Sequence, residues 1–132
     1  SFEDMIVNKR ISWNENISPN LKVAGDKSLI QKVINNLVSN AISYSPEESS
    51  ITITAFQRNE NIEFKLENTG IHIPENEIPK LFDAFYRIEH SRNRKTGGSG
   101  LGLYIVKAIL EQHQATYSIH NTSNGVLFSI HF

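Results

Sequence analysis

The chain has 132 residues, 39% of them apolar, and a formal net charge of −1. That length and apolar content suit a single domain over residues 1–132 with its own core, and the charge balance excludes the basic footprint of a general nucleic-acid binder. The absence of cysteine excludes disulfides, thiolate metal sites and cysteine nucleophiles together, and no apolar run nears the ~20 residues of a membrane span. Starting at Ser1, without Met or a signal-peptide pattern, it reads as a piece excised from a longer protein, itself soluble and monomeric.

Residues 1–20 give a weak pattern, in which Ile11 and Trp13 suit the buried face of a short strand, followed by a Ser18-Pro19-Asn20 turn. Residues 21–24 read as a second short strand ended by Gly25. Asp26 is a good N-cap, and Ser28 with Gln31 offers a second start as a capping box. From residue 27 to 44 the periodicity predicts a long amphipathic helix. Ile30, Val33, Ile34, Leu37, Val38, Ala41 and Ile42 form its apolar stripe, and Pro46 ends it. Its polar side stacks Lys32, Asn36 and Asn40 at i, i+4, i+8, with Asn35 alongside. Asparagine is a poor helix former, so this ridge is either a solvated face or a row of amide carbonyls for a hard cation such as Mg²⁺.

Residues 51–56 and 62–66 alternate apolar and polar around Arg58-Asn59-Glu60-Asn61, the pattern of an antiparallel hairpin with one buried face. Glu67-Asn68-Thr69-Gly70 then makes either a turn or a ligand rim. A short helix is expected from Glu75, carrying Ile78, Leu81 and Phe82, with Phe85 and Tyr86 after it and most of these aromatics in the core. Residues 87–98, with Arg87, His90, Arg92, Arg94 and Lys95, are polar and basic. They read as a mobile lid over an anion or as a solvated loop.

Gly98, Gly100 and Gly102 alternate with Ser99 and Leu101 and open directly into a helix over residues 101–112. Leu101, Tyr104, Ile105, Ala108 and Ile109 make one apolar face of that helix, and Leu103, Val106 and Leu110 a second flank. Glycines let backbone approach a ligand, and a helix N-terminus offers N–H groups and a positive dipole end to phosphate. The run lacks the Gly-Lys-Ser/Thr of a P-loop and the Gly-x-Gly-x-x-Gly of a dinucleotide site. Residues 116–120 and 126–132 predict a closing hairpin, with Val126, Phe128, Ile130 and Phe132 alternating. The whole predicts an α/β two-layer sandwich, a mixed and mostly antiparallel sheet packed on about three helices.

An Asn-bearing helix, an Asn-Thr-Gly turn, an aromatic segment, a basic loop and Gly-x-Gly-x-Gly occur in that order, and over residues 26–132 they resemble a known family. The chain looks like the catalytic ATP-binding domain of bacterial sensor histidine kinases, in the superfamily with DNA gyrase B, MutL and the heat-shock ATPase (the Bergerat-type fold). The aromatic stretch and the Arg-Asn-Arg-Lys-Thr-Gly-Gly-Ser-Gly-Leu-Gly-Leu run also resemble the VanS type of glycopeptide-resistance sensor. The resemblance implies ATP and Mg²⁺ as cofactors, with Asn36 and Asn40 catalytic, Asn40 the Mg²⁺ ligand and Asn36 by the phosphates. It implies that Tyr44, Asn68, Gly70, Ile73, Phe82, Tyr86, Arg87, Gly98, Ser99, Gly100, Leu101 and Gly102 complete the ATP site. Tyr44 would lie against the adenine and Asn68 would accept from its amino group.

Four positions depart from the family pattern: Asn68 replaces an Asp, His72 a glycine, Ser43 a Lys or Arg, and Val126 a Thr. Asn36 stands where hydrolysing and serine-kinase members carry a Glu base, so the resemblance points to a histidine acceptor, whose neutral imidazole needs no such base. None of His72, His90, His113, His120 and His131 has the acceptor context of the family, and His113 matches a structural position. The implied partners are a phosphoacceptor dimerisation domain of the same protein and a response regulator, with no nucleic acid and no direct membrane contact. The domain is expected in the cytoplasm, its full-length protein in the bacterial membrane. The alternative implied by the departures is a degenerate nucleotide-binding module that only docks to partners.

Overall fold

The computed structural model describes residues 1–86 and 101–132. Helix α1 (Phe2–Asn8) leads into strand β1 (Ser12–Ile17), helix α2 (Lys27–Tyr44) and the hairpin β2 (Ser50–Arg58) and β3 (Asn61–Thr69). Among the described residues a 3-10 turn (Ile78–Lys80) follows, then helix α3 (Gly102–Gln112) and the hairpin β4 (Thr116–Asn121) and β5 (Gly125–His131). The sheet runs β1-β2-β3-β5-β4. Only β1 and β2 pair in parallel; the other neighbours are antiparallel. Parallel neighbours need a crossover long enough to return the chain, and α2 supplies it. The two-layer sandwich expected from the sequence is the one found.

Burial follows the periodicities. Val33, Leu37, Val38, Ala41 and Ile42 of α2 face Ile51, Ile53, Phe64, Leu66, Phe128 and Ile130 of the sheet. Val106, Ile109 and Leu110 of α3 complete this core. At roughly 1.5–3 kcal/mol for each fully buried large aliphatic or aromatic side chain, this face is the main stabilising element. The Asp26 carboxylate caps α2 by accepting from the Leu29 N–H at 3.0 Å. Asn59 turns the β2–β3 loop at φ 56°, a left-handed conformation that asparagine tolerates.

Four expectations are corrected. Residues 21–24 form no strand: Leu21 and Val23 are half-buried in an extended connection, between Asn20 at φ 62° and the start of α2. The helix expected from Glu75 is only the 3-10 turn: in a helix begun at Glu75, Pro79 would be the fifth residue and could not donate to the Glu75 carbonyl, whereas in the short turn it sits within the first two residues, where no N–H is needed. Leu81 is buried there, but Phe85 is 70% exposed with φ 64°, so it is not a core aromatic. In α3 the core-facing residues are Val106, Ile109 and Leu110, while Tyr104 and Ala108 of the face expected to be buried are exposed.

Helix α1 has no counterpart in the sequence reading. It contains no buried residue, and Ser1 caps it by accepting from the Asp4 N–H. Its tie to the body comes from the next residue. Lys9 Nζ donates to the carbonyls of Ile42, Ser43 and Ser45 at 2.8, 3.1 and 3.0 Å. Those are the unpaired acceptors at the negative end of α2, where a cation is favoured. Arg10 adds ion pairs to Glu47 and Glu48 just beyond.

Candidate active site

The polar ridge of α2 runs between two close approaches. At one end the first residue of α3 faces it. A Cβ on Gly102 would lie 3.7 Å from Asn36 Oδ1 and 3.8 Å from both amide atoms of Asn40. Leu101, the N-cap of α3, makes no side-chain capping bond. The helix therefore presents N–H groups without a side-chain cap to a region flanked by two amides. At the other end, a Cβ on Gly70 would come within 2.7 Å of Pro46 Cγ, and Gly70 has φ +86°. Only glycine fits both the turn and that approach. The end of β3 is thereby set against the end of α2. Between these two fixed points lie Asn36, Asn40 and Tyr44, all half-buried, along roughly 12 Å of helix.

The side-chain amides of Asn36, Asn40 and Asn68 have no hydrogen bond to the described residues. Asn68 is the most enclosed of them, at 8% exposure. It pairs across the sheet with Ile51 and Val126, so two of the four departures from the family pattern are cross-strand neighbours. Beside it, a Cβ on Gly125 would stand 1.9 Å from the Asn68 carbonyl oxygen, which makes glycine obligatory there.

Ile73 is half-buried and clamped by a residue that carried no signal in the sequence. Asn121 Oδ1 accepts from the Ile73 N–H at 2.8 Å, and Asn121 Nδ2 donates to the Ile73 carbonyl at 2.7 Å and to Glu75 Oε1 at 3.0 Å. His72 donates from Nε2 to the Thr122 carbonyl at 2.9 Å, and Thr122 Oγ1 donates to Glu67 at 2.7 Å. The segment after Gly70 is thus fastened to the β4–β5 turn. The signal that could have exposed Asn121 is only its position at a strand end before a polar turn, which many surface residues share.

The remaining expected site residues fall into three groups. Leu101 and Gly102 stand at the α3 start, as above. Phe82 packs its ring on Tyr117 and Phe128, at centroid distances of 5.0 and 6.1 Å, and the Tyr86 hydroxyl donates to Glu77. Arg87, Gly98, Ser99 and Gly100, with the whole expected lid, lie outside the described residues.

Asn40 supplies a hard, neutral oxygen that suits Mg²⁺ alongside phosphate oxygens, the set such an ion accepts. Among the described residues no cluster of His, Cys, Asp or Glu forms a rival metal site. His113, expected to be structural, donates from Nδ1 to the Ile109 carbonyl at 2.8 Å and accepts the Asp26 N–H on Nε2 at 3.1 Å. It joins the end of α3 to the start of α2. Gly25 leaves room for it, since a Cβ there would lie 2.5 Å from the ring.

A family model for histidine kinase-, DNA gyrase B- and HSP90-like ATPases matches residues 25–132. The chain belongs to that family. It is 43% identical over 106 residues to a probable sensor kinase, SilS, of Salmonella typhimurium, covering 80% of this chain and 21% of SilS. To the sensor protein VanSB of Enterococcus faecalis it is 41% identical over 106 residues, 80% of this chain and 24% of VanSB. The chain therefore spans less than a quarter of the length of these curated relatives. Among solved structures, the catalytic domain of histidine kinase ThkA superposes with a TM-score of 0.85 at 32% identity, over 99% of this chain and 84% of that one. ThkA has also been solved in complex with a response regulator, TrrA. The histidine kinase ATPase domain thus corresponds to the catalytic part of such kinases, and VanS-type sensors are one of several kinds that match. No helix among the described residues is long and apolar enough to cross a membrane.

Proposed function

We propose that the domain binds Mg-ATP between α2, the end of β3 and the start of α3, and transfers the γ-phosphate to a histidine. That histidine lies on a separate dimerisation domain of the same sensor protein, and a response regulator receives the phosphate afterwards. One observation carries the reading: Gly102 opens the α3 N-terminus onto the Asn36 and Asn40 amides. Backbone N–H groups there would hold phosphate oxygens, Asn40 would hold Mg²⁺ through its carbonyl, and Asn36 would lie by the phosphates. When bound, the ion neutralises phosphate charge.

The purine would lie toward Tyr44, Asn68, Gly70 and Ile73. Asn121 sets the Ile73 backbone, and Pro46 fixes Gly70. Phe82, Tyr86, Arg87, Gly98, Ser99, Gly100 and Leu101 complete the proposed ATP site. Phosphoryl transfer depends on positioning and charge stabilisation more than on covalent help, and this set of residues offers both. The Asn36 amide takes no proton at neutral pH, which favours an imidazole acceptor over water. The domain would act on the cytoplasmic side of a bacterial membrane sensor; two bacterial relatives bear sensor names.

Titrating the chain with Mg-ATP by calorimetry tests the first half: saturable one-to-one binding is expected, and its absence would overturn the reading. Adding a histidine-bearing helical domain in trans with γ-labelled ATP tests the second. Binding without transfer would leave the docking-module alternative in its place.

A further inference from the structure

Asn68 is nine-tenths buried, yet its amide carries no hydrogen bond within the described structure. Its surroundings make this unusual. Its backbone is locked in the ladder between β2 and β5, and the cross-strand partners on its face are the apolar Ile51 and Val126. The polar groups nearby are already committed. Thr69 Oγ1 accepts from the Ser50 N–H at 2.9 Å, and Asn121 is spent on Ile73 and Glu75. No Asn68 atom is among the fully enclosed unpaired ones, so the amide reaches an opening to solvent, and a rigid frame that holds a free amide at such an opening offers both its ends to a ligand.

The chemistry of that group decides which ligand. A carboxylate only accepts hydrogen bonds, whereas an amide offers an accepting oxygen on one side and a donating NH₂ on the other. Nothing among the described residues holds either end, so a half-turn about the Cβ–Cγ bond exchanges them without breaking a hydrogen bond. In one orientation the oxygen accepts from the 6-amino group of adenine while the NH₂ donates to N1. In the other the NH₂ donates to the 6-oxo group of guanine while the oxygen accepts from N1–H. The same side chain matches both edges.

We infer that Asn68 makes the base pocket accept 6-oxopurines as well as adenine, so that the domain binds GTP as well as ATP. This rests on the nucleotide reading above. Asn68→Asp removes the donor and sets a negative acceptor against the guanine O6, while adding charge to the bond with the adenine amino group.

The test is a calorimetric titration of the 132-residue chain with Mg-ATP, Mg-GTP and Mg-ITP, repeated on Asn68→Asp, with thermal unfolding to check that the variant folds. Expected are ATP and GTP affinities within about tenfold of each other in the native chain. In the variant, GTP and ITP should weaken about 10–100-fold while ATP tightens, the scale of removing or adding one hydrogen bond to a buried polar group. ATP binding without GTP binding in the native chain overturns this inference alone. Binding of neither nucleotide overturns the nucleotide reading and the inference together. Equal GTP affinity in a folded Asn68→Asp chain overturns the assignment to Asn68, and if that variant does not fold, Asn68→Ser decides the same point.

Discussion

Asn40 lies on the polar ridge of α2, half-buried and outside the stripe that Val33, Leu37, Val38, Ala41 and Ile42 bury. Replacing it should therefore separate chemistry from folding. Asn40→Ala is expected to keep the melting temperature, or raise it slightly because alanine is the better helix former by a few tenths of a kcal/mol, roughly. Transfer to a supplied histidine domain should fall by on the order of 10²–10³ or more, the scale of removing one group that stabilises transition-state charge. Undiminished transfer would remove Asn40 from the site, and an unfolded variant would make it a structural residue. Tyr117 offers a second readout at this scale. Burial, then the charge of Glu111 and the hydroxyl's bond to it, raise its pKa above the usual 10.0. A raised folded value means that the contribution is complete below the unfolded pKa and is lost as pH climbs through the folded one. Stability should fall above about pH 10, and in Tyr117→Phe that part of the fall should disappear from an alkaline denaturation series.

The elements differ in how far the sequence discloses them. Helix α2 was legible to the residue, Lys27–Tyr44, because eighteen residues carry a continuous stripe, an N-cap and a terminating proline. Helix α1 was not, because only Ile6 of it packs, half-buried, on the core and its position is owed to tertiary contacts: Lys9 reaches carbonyls more than thirty residues away. Substituting Lys9 by Met keeps the aliphatic stem and deletes those bonds. A loss of about 1.5–3 kcal/mol is expected from chemical denaturation, the range for hydrogen bonds to a charged group. A loss no larger than that of an exposed lysine would show that the α2 carbonyls are equally well served by water. The site divides the same way. The asparagine ridge and the glycine run are visible as patterns, but that Gly102 faces Asn36 and Asn40 depends on how two distant helices pack. The Asn121 clamp on Ile73 is likewise a product of the completed sheet.

At the scale of the molecule, the strand order joins two local hairpins along one long-range seam. Strands β2 and β3 are neighbours in sequence, as are β4 and β5, whereas β3 meets β5 only after the intervening chain has folded back. Hairpins of this kind close in about 1–10 μs, while non-local pairing must first meet the entropy of closing a long loop. Asn68 and Val126 face each other across that seam. The base end of the candidate pocket is therefore expected to assemble late, after the main barrier to folding. In stopped-flow measurements, Val126→Ala should mainly accelerate unfolding, whereas Ile53→Val within the local hairpin should also slow refolding; the reverse pattern would place the seam early. Because a pocket completed after the barrier cannot help the chain over it, a bound nucleotide should lengthen the lifetime of the folded domain and leave its rate of formation untouched.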